Sequence, residues 1–236
     1  MYDILIQNGL IIDGSTKPRF KADIGLRDGI IQRIGNLAGV KANQTFNVEG
    51  LIVCPGFIDV HSHSDLMLLV EPEAEQKIMQ GITTEILGQD GLSVAPLPVS
   101  ILESWKKRLA GLLGVPAIEW DWTSVEDYFQ RLERRGTATN VAYLVPHGAV
   151  RACVMKFEDR SATTKELAQM QDLVVQSMQA GAIGLSTGLI YPPCTYASGT
   201  VELITLCKLV AAFRGVFVIH MRNESDYIME ALNETI

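Results

Sequence analysis

The chain has 236 residues, enough for one large domain or two small ones. Hydrophobic residues make up 47% and charged residues 20%, which is typical of a folded globular protein and excludes a disordered one. The net charge of −7 comes without a basic stripe and argues against nucleic acid as a partner. There is no export signal and no membrane-length apolar run, so we expect a cytoplasmic protein with no membrane partner. Four cysteines without CxxC spacing predict free thiols.

Residues 1–50 predict a small β module without catalytic candidates. Two dipeptides in it, Asn8-Gly9 and Asp28-Gly29, are typical of two-residue hairpin turns. Alternating apolar and polar residues flank the second dipeptide and predict the two strands of that hairpin.

From residue 51 onward, predicted strands alternate with predicted helices. The strands are expected at 51–60, 82–87, 141–145, 182–186 and 216–219. The helices are expected at 72–80, 163–180, 200–213 and from Ser225 onward, with a helical insertion near 98–135. Capping boxes are predicted at Thr123 with Glu126 and at Thr163 with Glu166. This alternation indicates a parallel sheet, either doubly wound or closed into a barrel. No Gly-rich dinucleotide fingerprint follows the first strand.

All four histidines follow predicted strands, namely His61, His63, His147 and His220. In a (β/α)8 barrel these strand ends form the active-site face. His61 and His63 are spaced i, i+2 and therefore point to the same side of an extended chain. We predict a metal site here, and imidazole with carboxylate ligands suits zinc first, then iron or manganese.

Several carboxylates lie near the same strand ends. Asp90 stands in a Gly-flanked loop, where it could reach a metal ion or serve only as a turn former. Asp59 could orient an imidazole or pair elsewhere in the barrel. Asp65 and Glu224 are weaker candidates for contacts with a ligand residue. Ser186 lacks the surroundings of a nucleophile elbow, which disfavours serine catalysis.

Four further side chains lie just beyond strand ends, namely Tyr191, Tyr196, Arg151 and Arg222. An arginine suits bidentate capture of a carboxylate. Ordinary packing within a loop is the alternative for each of them.

Three stretches carry a resemblance to a known family. Residues 53–63, which read Val-Cys-Pro-Gly-Phe-Ile-Asp-Val-His-Ser-His, resemble the first-strand motif of the amidohydrolase superfamily. Residues 181–193 and 220–224 resemble, more narrowly, the N-acyl-D-amino-acid deacylases, or D-aminoacylases. The resemblance implies an α/β fold, with a β-sandwich module in 1–50 and about five strands of a metal-dependent (β/α)8 TIM barrel in 51–236. It also implies hydrolysis of N-acyl-D-amino acids into a carboxylate and a D-amino acid.

The resemblance also suggests roles for single residues. His61 and His63 match the paired first-strand ligands of one or two zinc ions, and His220 matches the fifth-strand ligand. Asp90 stands where many family members carry a metal-bridging cysteine, which is a departure from the family pattern. The remaining histidine ligand and the general-base aspartate are expected beyond Ile236.

The small-molecule substrate is expected to contact residues around this site. Tyr191 and Arg222 are the candidates for holding its carboxylate, and His147 and Arg151 complete the predicted substrate-binding set. The oligomeric state stays open.

Two alternatives remain. Cyclic-amide hydrolases such as hydantoinases and dihydroorotases typically carry a carboxylated lysine after the fourth strand, and residues 182–190 contain no lysine. The other alternative is a truncated, non-catalytic homologue. We expect residues 1–236 alone to be inactive, because only five barrel strands can be counted.

Overall fold

A computed structural model describes residues 1–197 and 200–236 of the chain. They divide into two compact units, Met1–Gly56 and Phe57–Ile236. All four cysteines are free thiols, as predicted. No helix in the described ranges combines the length and the apolar character that a membrane span needs.

The first unit is built around one five-stranded sheet. Its strands are β1 Tyr2–Ile11, β2 Phe20–Arg27, β3 Ile30–Gly35, β4 Ala42–Asn47 and β5 Ile52–Val53. The order β3-β2-β1-β4 is antiparallel on the β2 side, while β4 and β5 both pair with β1 in parallel. The Asp28-Gly29 hairpin between β2 and β3 is confirmed.

The hairpin predicted at Asn8-Gly9 is wrong. β1 continues through both residues, and its register against β2 shifts between Ile6 and Gly9. Asn8 has a φ of 64°, and its backbone N–H donates to Asp23 Oδ1. The conformation that marks a hairpin turn therefore serves here as a β-bulge, for which a left-handed residue is equally suited.

The second unit contains a five-stranded parallel sheet. Its strands are β6 Phe57–Asp59, β7 Ile82–Leu87, β8 Asn140–Pro146, β9 Gly184–Gly188 and β10 Val216–His220. They lie side by side in chain order, and every neighbouring pair is parallel. A doubly wound sheet reverses its strand order, so this order is that of a β/α barrel.

The single strand predicted over residues 51–60 is split in two. Ile52 and Val53 pair with β1 in the first unit, whereas Phe57 pairs with Ile82 in the second. Pro55 separates the two pieces, because proline has no N–H to donate to a strand ladder. The boundary between the two units thus falls within a stretch that looks continuous in the sequence.

Eight helices accompany the strands in the described residues. They are α1 Met67–Val70, α2 Glu75–Ile78, α3 Leu102–Leu113, α4 Val125–Arg135, α5 His147–Met155, α6 Thr164–Gln179, α7 Val201–Ala212 and α8 Ile228–Thr235. The helix predicted over 72–80 begins only at Glu75, so Pro72 lies outside it. The capping box of Thr163 with Glu166 is confirmed at the start of α6.

The capping box predicted for α4 is displaced by one residue. Ser124 is the N-cap, and its hydroxyl accepts from the backbone N–H of Asp127, whose carboxylate accepts from the backbone of Ser124. The Thr123 hydroxyl also donates to Asp127. The sequence fits a capping box in two registers, because two hydroxyl residues and two acids are each adjacent in the chain. The observed register is the one that buries Val125 and Tyr128 in the core.

Two apolar clusters hold the helices against the parallel sheet. One contains Trp105 and Trp122 of the segment between β7 and β8, together with Tyr143 of β8. The other joins Val145 and Leu185 of neighbouring strands to α6 and α7. Burial of these apolar side chains stabilises the packing of the helices on the strands.

We predict that the stability of α4 depends on pH through Asp127. Backbone N–H groups of Thr123 and Ser124 bind its carboxylate and lower its pKa from 3.8 to about 2. The stabilisation is therefore complete above the unfolded pKa and is lost as the pH falls through about 2. Urea unfolding should show wild type losing its advantage over Asp127→Asn as the pH falls from about 4 to about 2. Glu126→Gln, at the neighbouring exposed acid, should retain the wild-type pH dependence.

Candidate metal centre

Polar side chains from three strands meet at the carboxyl edge of the parallel sheet. His61 and His63 follow β6, Asp90 lies in the short turn Gln89–Gly91 after β7, and His220 is the last residue of β10. The carboxyl ends of parallel strands lie at one edge of a sheet, which brings residues far apart in sequence together.

Asp90 is the centre of this group. Its Oδ2 atom lies 3.2 Å from His61 Nε2 and 3.2 Å from His63 Nε2. The two imidazole rings are 5.2 Å apart between centroids and inclined by 74°. In the described residues, these three side chains each offer one ligand atom within 4.8 Å of the others.

The donor atoms fit a small divalent ion in type and in spacing. In a tetrahedral zinc site with bonds of about 2.0–2.1 Å, neighbouring ligand atoms lie about 3.3 Å apart. The distances from Asp90 Oδ2 to the two histidine Nε2 atoms are both 3.2 Å, which is close to the edge length of that tetrahedron. Two imidazole nitrogens and a carboxylate also form a common ligand set for zinc.

The charge state of Asp90 suits this arrangement. Burial alone would raise the pKa of its carboxyl group, but the hydrogen bond with His63 and the charges of His61, His63 and His220 outweigh that effect. The pKa of Asp90 therefore lies below its usual value, and the side chain is a carboxylate at neutral pH.

His220 lies near the other oxygen of the same carboxylate. Its Nδ1 atom is 3.9 Å from Asp90 Oδ1, and its Nε2 atom is 3.7 Å from Glu224 Oε1. The Tyr191 hydroxyl lies 3.4 Å from His220 Nδ1, with the two rings edge to face. Desolvation, together with the charges of Asp90 and Glu224, raises the pKa of Tyr191.

The turn that carries Asp90 is held in an unusual conformation. Gly88, Asp90 and Gly91 all have positive φ values. A Cβ atom at Gly88 would lie 2.1 Å from the carbonyl oxygen of Leu144, so glycine is required there. The Ser186 hydroxyl bonds to both sides of the turn, since it accepts from Gly91 N–H and donates to the Gly88 carbonyl.

His147 and Arg151 lie in a different, buried cluster. His147 Nδ1 is 2.8 Å from Thr187 Oγ1, and its Nε2 is 2.7 Å from Glu202 Oε1. Arg151 donates to the other oxygen of Glu202 at 2.6 Å. Both side chains are 0% exposed, and a fully buried side chain has no surface to offer a substrate. This burial argues against the substrate-binding roles predicted for His147 and Arg151.

Hydrogen bonds with Cys194 and Glu202 set the protonation of His147 in this cluster. Burial acts against a charged imidazole, but hydrogen bonds with Cys194 and Glu202 outweigh it and raise the pKa of His147 to about 9. The Glu202 pKa is lowered, because the partners His147 and Arg151 outweigh its own burial.

Arg222 is already engaged by protein groups. Its guanidinium binds both oxygens of Glu234 and donates to the backbone carbonyls of Thr195 and Ala197. Tyr191, in contrast, lies directly beside His220, and so remains well placed near the Asp90 group.

Two buried acids were not singled out from the sequence. Glu85 lies inside β7 and is fully buried, and Glu202 lies in the first turn of α7 and is 6% exposed. The available signal was a single acid within an otherwise apolar or uncharged segment, which indicates a buried partner. The identity of that partner is not contained in the local sequence.

A model of the amidohydrolase family matches residues 44–224. The chain is 38% identical to a D-aminoacylase of Alcaligenes xylosoxydans xylosoxydans, covering 99% of this chain and 47% of that protein. It is 36% identical to an N-acyl-D-aspartate deacylase of the same organism, again over 99% of this chain and 46% of the relative. The chain thus spans about half the length of the curated relatives it matches.

Solved structures of such enzymes are also similar to this chain. The N-acyl-D-glutamate deacylase of Bordetella bronchiseptica, complexed with zinc and a phosphonate mimic of the tetrahedral intermediate, superposes with a TM-score of 0.89 at 38% identity. That likeness covers 99% of this chain and 48% of the other. A D-aminoacylase described with a binuclear metal centre gives a TM-score of 0.88 at 36% identity, covering 100% and 48%.

The buried Glu202 pairs generate a prediction about stability. Glu202→Gln keeps the size of the side chain but removes the negative charge between His147 and Arg151. Breaking a buried ion pair from one side costs about 3 kcal/mol or more of unfolding free energy. Denaturant unfolding at neutral pH measures the loss, with the exposed Glu133→Gln as the matched control. A loss below about 1 kcal/mol, the scale of a surface pair, would contradict the assigned role.

Proposed function

Since this chain belongs to the amidohydrolase family, we propose that it carries the metal-binding part of an enzyme that hydrolyses N-acyl-D-amino acids. The products are a carboxylate and a free D-amino acid. Relatives with this activity, each matching nearly the whole chain at 36–38% identity, support the substrate class.

One observation carries the proposal, namely the convergence of His61, His63 and Asp90 on a single point. We assign these three residues as metal ligands, with His220 as a fourth. The Nδ1 atom of His220 lies 3.9 Å from Asp90 Oδ1, which supports its assignment to the same metal site.

Zinc is the metal that we propose, as one or two ions, with iron or manganese as alternatives. The imidazole and carboxylate donors support zinc, and so does the zinc held by the Bordetella bronchiseptica relative. A carboxylate at position 90 is a harder ligand than a thiolate, so manganese and iron also suit this set of ligands.

When bound, such an ion supplies an activated water and polarises the amide carbonyl of the substrate. His61 and His63 would hold it, since their Nε2 atoms face Asp90 Oδ2, and Asp90 would contribute negative charge at the same point. Tyr191 is the side chain that we assign to the substrate, because its hydroxyl lies beside His220 at the rim of this group. The substrate role of Arg222 stays a prediction from the family resemblance, because its guanidinium is bound to Glu234 and to the backbone carbonyl of Thr195.

We further propose that the five parallel strands belong to an eight-stranded barrel that begins with β6 at Phe57, not at residue 51, with residues 98–135 as a helical insertion. The unreversed strand order supports a barrel. Residues 1–50 are proposed to form one layer of a β-sandwich. Exposed apolar side chains on the first sheet, such as Phe46 and Ile52, support a covering layer.

Hydrolysis of cyclic amides is less well supported. An L-hydantoinase of Arthrobacter aurescens resembles this chain at 20% identity with a TM-score of 0.61, a level that concerns the fold alone. The segment around β9 has no lysine that could be carboxylated.

The metal assignment predicts the behaviour of two variants. His61→Ala/His63→Ala should abolish zinc uptake, because it removes two of three converging donors. Asp90→Asn keeps the size and turn propensity but removes the charge, and should weaken zinc binding with little loss of stability. Metal analysis and chelator competition measure both effects, with the exposed Asp159→Asn as control. Equal zinc content in wild type and the double variant would refute the assignment.

The substrate assignment predicts an enantiomeric preference. The complete protein that contains these residues should release amino acid faster from N-acetyl-D-amino acids than from the L-forms. A chelator should abolish the activity, and zinc should restore it. Amine release from both enantiomeric series measures the preference, and faster cleavage of a hydantoin would favour the alternative.

A further inference from the structure

The serines that alternate with the paired histidines share one acceptor. Ser62 Oγ and Ser64 Oγ each lie 2.7 Å from Glu85 Oε2, and the two hydroxyl oxygens are 2.9 Å apart. While the histidine side chains reach Asp90, the intervening serine side chains bind a carboxylate on the neighbouring strand β7.

Glu85 is fully satisfied in its buried position. Its other oxygen, Oε1, accepts from Thr139 Oγ1 at 2.9 Å. Lys77 Nζ lies 3.3 Å from Glu85 Oε2 and 2.5 Å from Asp59 Oδ2. Although burial favours the neutral acid, these donors outweigh it and lower the pKa of Glu85. A charged carboxylate is thus fixed beneath the segment 61–64 and can accept from both serines.

Asp59 holds the other end of the same segment. Its Oδ1 atom accepts from the backbone N–H of His61 at 3.2 Å, while its Oδ2 atom is paired with Lys77. Lys77 also donates to the Ser62 hydroxyl at 3.2 Å. Lys77 therefore links Asp59, Glu85 and Ser62 in one network of hydrogen bonds and ion pairs. This network holds the chain just before His61 and again between the two histidines.

We propose that Glu85 is a positioning residue for the metal centre, acting through Ser62 and Ser64 to fix the segment from which His61 and His63 reach Asp90. The inference rests on the metal site proposed above and adds to it the device that sets its geometry. Metal ligands must be held within about 0.5 Å of their working positions. The segment 61–64 lies past the end of β6, where the backbone N–H of Ser62 still donates to the Ile86 carbonyl of β7 and the serine side chains anchor the segment to Glu85 of the same strand.

The main test is zinc affinity, measured by chelator competition, with the visible spectrum of the cobalt-substituted protein as a report on ligand geometry. Glu85→Gln keeps the volume of the side chain but weakens its acceptance from both serines. We expect zinc affinity to fall about 10- to 100-fold, as for other partners of metal ligands, and the cobalt spectrum to change.

A matched control separates positioning from stability. Thr139→Val removes the hydrogen bond to the other oxygen of Glu85 and leaves both serines in place. It should lower the unfolding free energy while zinc affinity and the cobalt spectrum stay as in wild type. Equal losses of zinc affinity in Thr139→Val and Glu85→Gln would overturn the proposal, because both would then act through general destabilisation.

The serines supply a second route to the answer, which holds even if Glu85→Gln does not fold. Ser62→Ala/Ser64→Ala should lower zinc affinity as Glu85→Gln does, and adding Glu85→Gln to it should cost little more. Wild-type zinc affinity in the serine double variant would overturn the proposal. A wild-type protein that binds no zinc would overturn the metal site and this inference together, whereas zinc binding unaffected by any of these variants would overturn this inference alone.

Discussion

The shared carboxylate oxygen of Asp90 is the contact on which the candidate site depends. Two imidazole nitrogens lie 3.2 Å from this one atom. A negative charge close to two imidazole nitrogens favours a cation between them, and the spacing suits a small divalent ion. Without Asp90, the group would consist of histidines alone, with no fixed anion to define the point on which they converge.

The parallel sheet makes this contact possible, and buried polar networks keep it in place. In one network, Ser186 fastens the turn of Asp90 through Gly88 and Gly91. In a second network, Glu85 accepts hydrogen bonds from the two serines that alternate with the histidines. Each network satisfies buried polar groups that would otherwise cost free energy, so positioning of the site and stability of the fold use the same hydrogen bonds.

The Glu202 cluster has the same construction at a different place. A buried carboxylate bridges His147 and Arg151, two cationic side chains of α5, from its position in α7. Both histidine-containing groups follow strands, and the sequence pattern could not separate them. Burial separates them, because His61 is half exposed while His147 is fully enclosed.

The sequence by itself determined the alternation of strands and helices, the paired histidines, the family and the candidate role of Asp90. These features depend on local periodicity, on turn chemistry and on motifs within a few residues. The tertiary structure alone decided that the stretch 51–60 divides between two units, that Asn8 forms a bulge, and that Glu85 holds the serines. Those outcomes depend on strand register and on which side chains face each other across neighbouring strands, and no short stretch of sequence encodes the partner 20 or more residues away.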